Sequence, residues 1–248
     1  MDVLVCVKRV PAFGAEVVLT EDGELDTRHL GFTIGPHEEC AVEEAVRIAE
    51  RTSGSAGVLT VGPPEAEEQL RYAMAMGADH GVLVEGAGED PQATASAILA
   101  ALREIGPYDL LLFGNESADA CQYQVGARVA NGLGLPVLAG VKGIELGPEE
   151  VTLRRDVPDG VEVYRAPLPA VAAVAEGLNL PRYPSIKGRL RAKKAPLHRI
   201  SPEVAAGGLR ALRLRTPPGI GTETKVLGSG AEAADAVLSV LEDLGVLR

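Results

Sequence analysis

Residues 3–133 alternate short apolar runs with stretches of helical period, an order that few folds accommodate. Residues 3–7 form a continuous buried-strand pattern. Gly35-Pro36 then opens a helix in which Ala41, Val42, Ala45, Val46 and Ala49 recur at spacings of three and four. A second strand over 57–61 closes at Gly62-Pro63-Pro64, and the helix behind it runs to Met76 with Gly77 as its stop. A strand over 81–84, a helix capped by Asp90-Pro91, a strand over 109–113 and a helix over 124–133 continue the series. The pattern predicts an α/β fold. Its sheet is open and mostly parallel, with helices on both faces.

Two interruptions qualify that plan. Residues 13–27, with the turn Glu21-Asp22-Gly23, predict a hairpin inserted after the first strand. Pro158-Asp159-Gly160 between residues 150–155 and 161–165 predicts another. A further buried strand is expected over 168–174. Residues 177–202 hold no acidic side chain but seven basic ones, Arg182, Lys187, Arg189, Arg191, Lys193, Lys194 and Arg199. The expected organisation is one α/β nucleotide-binding domain over 1–200, including a basic loop over 178–194. An extended C-terminal arm over 201–248 ends in a helix with Ala234, Val237, Leu238 and Leu241 on one face.

The 248 residues carry 24 Lys plus Arg against 35 Asp plus Glu, a net charge of −11 that argues against coating nucleic acid or anionic lipid. With no Trp, three Phe and five Tyr, the core must come from aliphatic side chains. The longest apolar run, residues 166–175, contains two prolines and falls well short of the ~18 residues of a membrane span. No secretory signal is expected, since Lys8-Arg9 follows the first apolar stretch instead of preceding it. The three cysteines are too scattered for a disulfide framework, so a cytoplasmic or organelle-interior setting is the expectation.

Catalytic motifs are missing: no Walker-type loop, no Gly-x-Ser-x-Gly elbow, no histidine pair at metal spacing. Gly228-Ser229-Gly230 mimics part of a dinucleotide fingerprint, but no second strand follows to complete the unit. Ligands of open parallel sheets sit at the carboxyl ends of strands. Four such turns are present: residues 6–10, 35–38, 61–64 and 114–126. The last is long and polar, with Asn115, Glu116, Ser117, Asp119 and Gln124, and leads into a helix N-terminus suited to phosphate. These residues fit either a nucleotide pocket without hydrolytic machinery or simply well-formed strand-to-helix turns.

At these positions the sequence resembles the β subunit of electron-transfer flavoprotein. The resemblance is carried by V-L-V-C-V-K-R-V-P at 3–11, A-V-E-E-A-V-R at 41–47, V-G-P-P-E-A at 61–66 and R-Y-A-M-A-M-G-A-D at 71–79. It continues in L-P-A-V at 168–171, L-N-L-P-R-Y-P-S-I at 178–186 and A-K-K at 192–194. It implies an adenine-nucleotide α-hydrolase-like, Rossmann-like fold and the non-enzymatic half of a heterodimer, whose larger α subunit holds most of the FAD while this chain buries AMP. Carried across, the AMP pocket takes Cys6, Gly35, Pro36, His37, Glu38 and Val61, together with Gly114, Asn115, Ser117, Asp119, Tyr123, Gln124, Val125 and Gly126. Phe13 falls where the family places an aromatic residue near the flavin. The segment with Tyr183, Ile186, Lys187 and Arg189 resembles the loop that docks flavin dehydrogenases, with Ile186 where the family usually has Leu. The C-terminal arm would wrap the α subunit.

The resemblance further implies electrons arriving from an acyl-CoA-type dehydrogenase and leaving for ETF-quinone oxidoreductase. The setting would be bacterial cytoplasm, or the mitochondrial matrix of a eukaryote. The pocket loop departs from the usual family pattern: it lacks the lysine, glutamine and second aspartate, and Val125 replaces threonine. Its Q-V-G ending resembles a branch related to nitrogen-fixation and electron-bifurcating proteins, in which a second FAD takes the AMP position. The lost lysine and aspartate favour AMP. Rival classes are a stand-alone adenine-nucleotide-binding stress-type protein, which would end near residue ~150, and an adenylating enzyme, which would need a glycine-serine loop where Lys8-Arg9-Val10-Pro11 stands.

Overall fold

A computed structural model describes residues 1–86, 90–203, 208–209, 212–216 and 224–247. They fall into two compact units, Met1–Leu214 and Arg215–Arg248.

The first unit is built on β1 (Asp2–Cys6), β4 (Ser55–Gly62), β5 (His80–Glu85), β6 (Leu110–Gly114) and β10 (Ala170–Val174), all in one nine-stranded sheet. The remaining members are β7 (Val137–Leu146), β8 (Glu150–Val157), β9 (Gly160–Pro167) and β11 (Leu197–Ile200), in the order β11-β5-β4-β1-β6-β10-β7-β8-β9. Every neighbouring pair from β11 to β7 is parallel, whereas β7–β8 and β8–β9 are antiparallel. The mostly parallel sheet expected from sequence is therefore present, with an antiparallel extension at one end.

Residue parity along β1 shows why helices cover both faces. Val3 and Val5 point into one core with Ala41, Val42 and Ala45 of α1 (Pro36–Thr52) and Leu70 and Met74 of α2 (Glu67–Met76). Leu4 and Cys6 point into the other, with Ile98 of α3 (Pro91–Ile105) and Val129 of α4 (Val125–Leu133). Strands buried on both faces need unbroken apolar runs, and each fully buried Leu contributes roughly 1.5–3 kcal/mol. Helix boundaries follow local chemistry. Asp90 caps α3 by accepting the Ala93 amide at 2.8 Å. Gly77 ends α2 at φ 147°, a conformation side-chain-bearing residues avoid.

The inserted hairpin is present and wider than its turn suggests. Leu19 bridges Leu25, and β2 (Val10–Pro11) pairs antiparallel with β3 (Phe32–Thr33). The 178–194 stretch, expected as a loop, contains a short helix, α5 (Ile186–Ala192), capped by Ser185 accepting the Gly188 amide at 3.0 Å. In the second unit, a 3₁₀ turn leads into α6 (Ala234–Asp243), where Val237, Leu238 and Val240 are exposed. Gly228-Ser229-Gly230 precedes this helix, and no strand follows it among the described residues. None of the helices among the described residues is long and apolar enough to cross a membrane.

Candidate functional site

The chain fills the sheet from β1 outward in one direction through β4 and β5, then returns to place β6 on the other side of β1. Loops from β1 and β6 diverge there, which opens a crevice at the carboxyl ends of both strands. A cleft of about 350 Å³ occupies that crevice, within the range of small-molecule sites.

Of the residues singled out from sequence, Cys6, Glu38, Val61, Gly114, Asn115 and Ser117 line this cleft, as do Tyr123, Gln124, Val125 and Gly126. Gly35, Pro36, His37, Asp119 and Phe13 do not line it, although Gly35, His37 and Asp119 support residues that do. Gly35 caps α1 without a side chain, leaving space for the Glu38 carboxyl beside it. His37 Nδ1 accepts the Glu176 amide at 3.1 Å while Nε2 faces Glu116 Oε1 at 3.3 Å, so His37 struts the α1 N-terminus. Asp119 pairs with Lys8, whose side chain does line the cleft. Phe13 stands 65% exposed on the hairpin.

The polar chemistry of the cleft is uneven. Gln124, the N-cap of α4, makes no capping side-chain bond, because its Oε1 accepts from Arg128 instead. The amides of Val125, Gly126 and Ala127 therefore keep the donors that the first helical turn leaves unpaired, and all three residues face the cleft. Asn115 is structurally committed: its Oδ1 accepts the Gly140 amide at 2.7 Å, and its own amide reaches Val174 O at 2.8 Å. Cys121 and Tyr123 adopt φ 47° and 56°, a left-handed conformation that costs side-chain-bearing residues roughly 1–2 kcal/mol each. Tyr123 OH donates to Glu116.

Two buried polar atoms of cleft-lining residues have no protein partner among the described residues, Glu38 Oε2 and Thr94 Oγ1. Burial pushes the Glu38 carboxyl up to about 7, with the Lys8 charge opposing and the Asp119 charge adding to the rise. Burial also pushes the Cys6 thiol up, so no thiolate nucleophile is available at the end of β1. Sequence reasoning did not single out Thr94 and Ile98 from α3, Leu138 from β7 or Arg155 from β8. Arg155 is held by Glu162 at 2.5 Å and lies over the Tyr164 ring. Lys8 falls in the 6–10 turn identified from sequence, without having been assigned a role.

Outside the cleft, Tyr183 and Ile186 are 82% and 80% exposed, Leu180 beside them is 85% exposed, and Lys187 and Arg189 also face solvent. Among the described residues no group of His, Cys, Asp and Glu is arranged to hold a metal.

A family model described as electron transfer flavoprotein domain matches residues 23–205. The electron transfer flavoprotein subunit beta of Bacillus subtilis is 32% identical, with 91% of this chain and 92% of that protein aligned. The protein of the same description from Mycobacterium tuberculosis is 38% identical over 78% of this chain and 76% of its own length. The caffeyl-CoA reductase-Etf complex subunit CarD of Acetobacterium woodii is 30% identical, with both chains aligned end to end.

Proposed function

Because the chain belongs to the electron transfer flavoprotein family, with β subunits as its relatives, we propose that it is the β subunit of a heterodimeric electron carrier. In this reading it binds AMP structurally and performs no substrate turnover of its own. The supporting observation is the cleft at the β1/β6 crossover, where free α4 amides meet two unpartnered polar atoms. A phosphate suits the amides of Val125, Gly126 and Ala127, which supply donors and the positive helix end without a lysine or threonine. Glu38 and Thr94 offer hydrogen bonds to the polar edges of a nucleoside, while Ile98, Leu59 and Leu138 flank its apolar faces. Gly114 and Gly126 leave room for the Glu38 side chain and the Phe113 ring that shape the cleft wall.

FAD, held mainly by the α subunit, supplies the redox chemistry when bound. The contribution of this chain is support and electrostatics, with Phe13 facing the flavin side and the C-terminal arm wrapping the α subunit. Tyr183, Ile186, Lys187 and Arg189 present an apolar tip ringed by positive charge. Such a surface suits brief encounters with a flavin dehydrogenase of the acyl-CoA class, since charge steers approach and a small apolar anchor limits residence. Onward transfer runs to ETF-quinone oxidoreductase, in bacterial cytoplasm or an equivalent compartment.

A second reading rests on the CarD similarity and the Gln124-Val125-Gly126 loop: a bifurcating-type β subunit with a second FAD in the cleft. Nucleotide content separates the two. The chain is co-expressed with its α subunit, purified and denatured, and the released nucleotides are quantified by chromatography. One FAD and one AMP per heterodimer supports the carrier reading. Two FAD and no AMP establishes the second, and neither nucleotide in the β chain removes both.

A further inference from the structure

The segment carrying the exposed apolar tip is strapped along α1 by an ordered series of bonds. His37 accepts the Glu176 amide at 3.1 Å. One turn on, Cys40 O accepts from Asn179 Nδ2 at 3.0 Å, and Glu44 Oε2 accepts from the same nitrogen at 3.2 Å. Arg47 Nη2 reaches Leu180 O at 3.2 Å. Helical spacing puts these positions on one stripe, so the helix acts as a rail for residues 176–182.

The rail ends in a clasp. Glu43, only 2% exposed, accepts the backbone amide of Arg182 at 3.1 Å and its Nε at 2.8 Å, along with Arg47 Nε at 2.5 Å. The other Arg182 nitrogens reach Glu50 at 2.8 and 3.2 Å. Burying a carboxylate costs several kcal/mol, a cost that the hydrogen bonds from Arg182 and Arg47 outweigh here, holding the Glu43 carboxyl below its ordinary range. The pair also imposes register. Arg182 lies between Leu180 and Tyr183, whose side chains find no comparable burial, with Ile186 four residues on. The planar guanidinium fork, bonded through its side chain and its own backbone amide, leaves the segment little freedom to slide along α1.

We propose that Glu43 and Arg182 are positioning residues that lock residues 176–186 in register on α1, presenting Leu180, Tyr183 and Ile186 preassembled to an apolar pocket on the electron-donating partner. This rests on the docking role proposed above for Ile186. Preassembly acts on encounter: a segment that reaches the competent register only a tenth of the time binds about tenfold more weakly, while transfer within the complex is unchanged.

The test uses the heterodimer, with Arg182→Lys, Glu43→Gln and Ile186→Ala, and an acyl-CoA dehydrogenase from the same organism as electron donor. Electron acceptance is measured against dehydrogenase concentration, and hydrogen exchange is followed over amides 176–190. In the two clasp variants, exchange across this segment should accelerate, KM for the dehydrogenase should rise about tenfold, the limiting rate should stay within twofold, and nucleotide content should hold. Accelerated exchange with unchanged KM overturns the proposal, as does exchange that does not respond. A raised KM in Ile186→Ala with unaltered clasp variants overturns the clasp alone. An unchanged KM in Ile186→Ala removes the docking role and this proposal with it. Should a clasp variant not fold, Glu50→Gln removes one exposed half of the pairing and is expected to raise KM in the same direction by a smaller factor.

Discussion

Lys8 Nζ donates to both carboxylate oxygens of Asp119 at 2.7 Å, tying the end of β1 to the long loop after β6. The pair joins the two sides of the crossover crevice, and each side chain is about one-third exposed. An ion pair so hydrated contributes little to folding, roughly 0–1 kcal/mol, so its larger effect falls on loop position. Lys8→Met should change the thermal midpoint by no more than a few degrees while lowering AMP retained through purification severalfold. Chromatography of the nucleotide released from the heterodimer checks this, and retention equal to the parent would detach Lys8 from the site.

Glu38 gives the cleft a pH dependence with a definite sign. Its carboxyl, ordinarily near 4.5, is raised by burial to about 7, so between those values the folded chain holds a proton that the unfolded chain has lost. Stability from this group therefore falls as pH rises through that window, Lys8 opposing the effect and Asp119 adding to it. Glu38→Gln should flatten the dependence, being on the order of 3 kcal/mol more stable than the parent at pH 8 and close to it at pH 4.5. Urea midpoints at the two pH values decide the matter; equal differences at both would show that Glu38 stays ionised.

At Gly126 a Cβ would lie 3.2 Å from the Phe113 ring, so a larger side chain must displace the ring or the first turn of α4. Gly126→Leu should cost about 1–3 kcal/mol through overpacking. Because that turn carries the free amides, AMP retention should fall by more than tenfold. Undiminished AMP in a folded Gly126→Leu heterodimer would place the nucleotide elsewhere.

Asp90 is 7% exposed and serves two partners, capping Ala93 at 2.8 Å and accepting the Leu209 amide at 3.2 Å. Asp90→Ala should cost about 1–2 kcal/mol for the cap and lower the thermal midpoint by several degrees. Asp90→Asn, which keeps a capping oxygen, should recover most of that loss. Calorimetry of the pair separates capping from a general effect of charge.

Much of the fold was legible because its signals are local. Gly77 ends a helix and Asp90-Pro91 begins one for reasons contained within a few residues, and the apolar runs of β1, β4, β5 and β6 name themselves. Three elements were not legible. In β7, Gly140 at φ 74° and the register shift between Val141 and Gly143 break the alternation that marks a strand. The β11 strand contains His198 and Arg199 and reads as basic loop; it becomes a strand by pairing with β5. Likewise α5 is too short for a periodic signal and is held from outside, by Arg71 on Ala192 O at 2.6 Å and Arg191 on Met74 O at 2.9 Å.

The candidate site divides the same way. Turn residues at strand ends could be located from the order of elements alone. Thr94 sits inside a helix whose pattern shows only its apolar stripe, and Arg155 sits in a hairpin strand distant in sequence from every nucleotide turn. Their presence at the cleft depends on which strands are neighbours, and sequence period carries no information on that.

The sheet outgrows its helices at β9, where no residue is buried and Val161, Val163 and Tyr164 face solvent along an edge with no further strand among the described residues. An uncovered edge of this kind presents a row of unpaired N–H and C=O groups to which another extended chain can add. Along β9 this chain therefore carries an open template for aggregation, and a charge placed among Val161, Val163 and Tyr164 would blunt it.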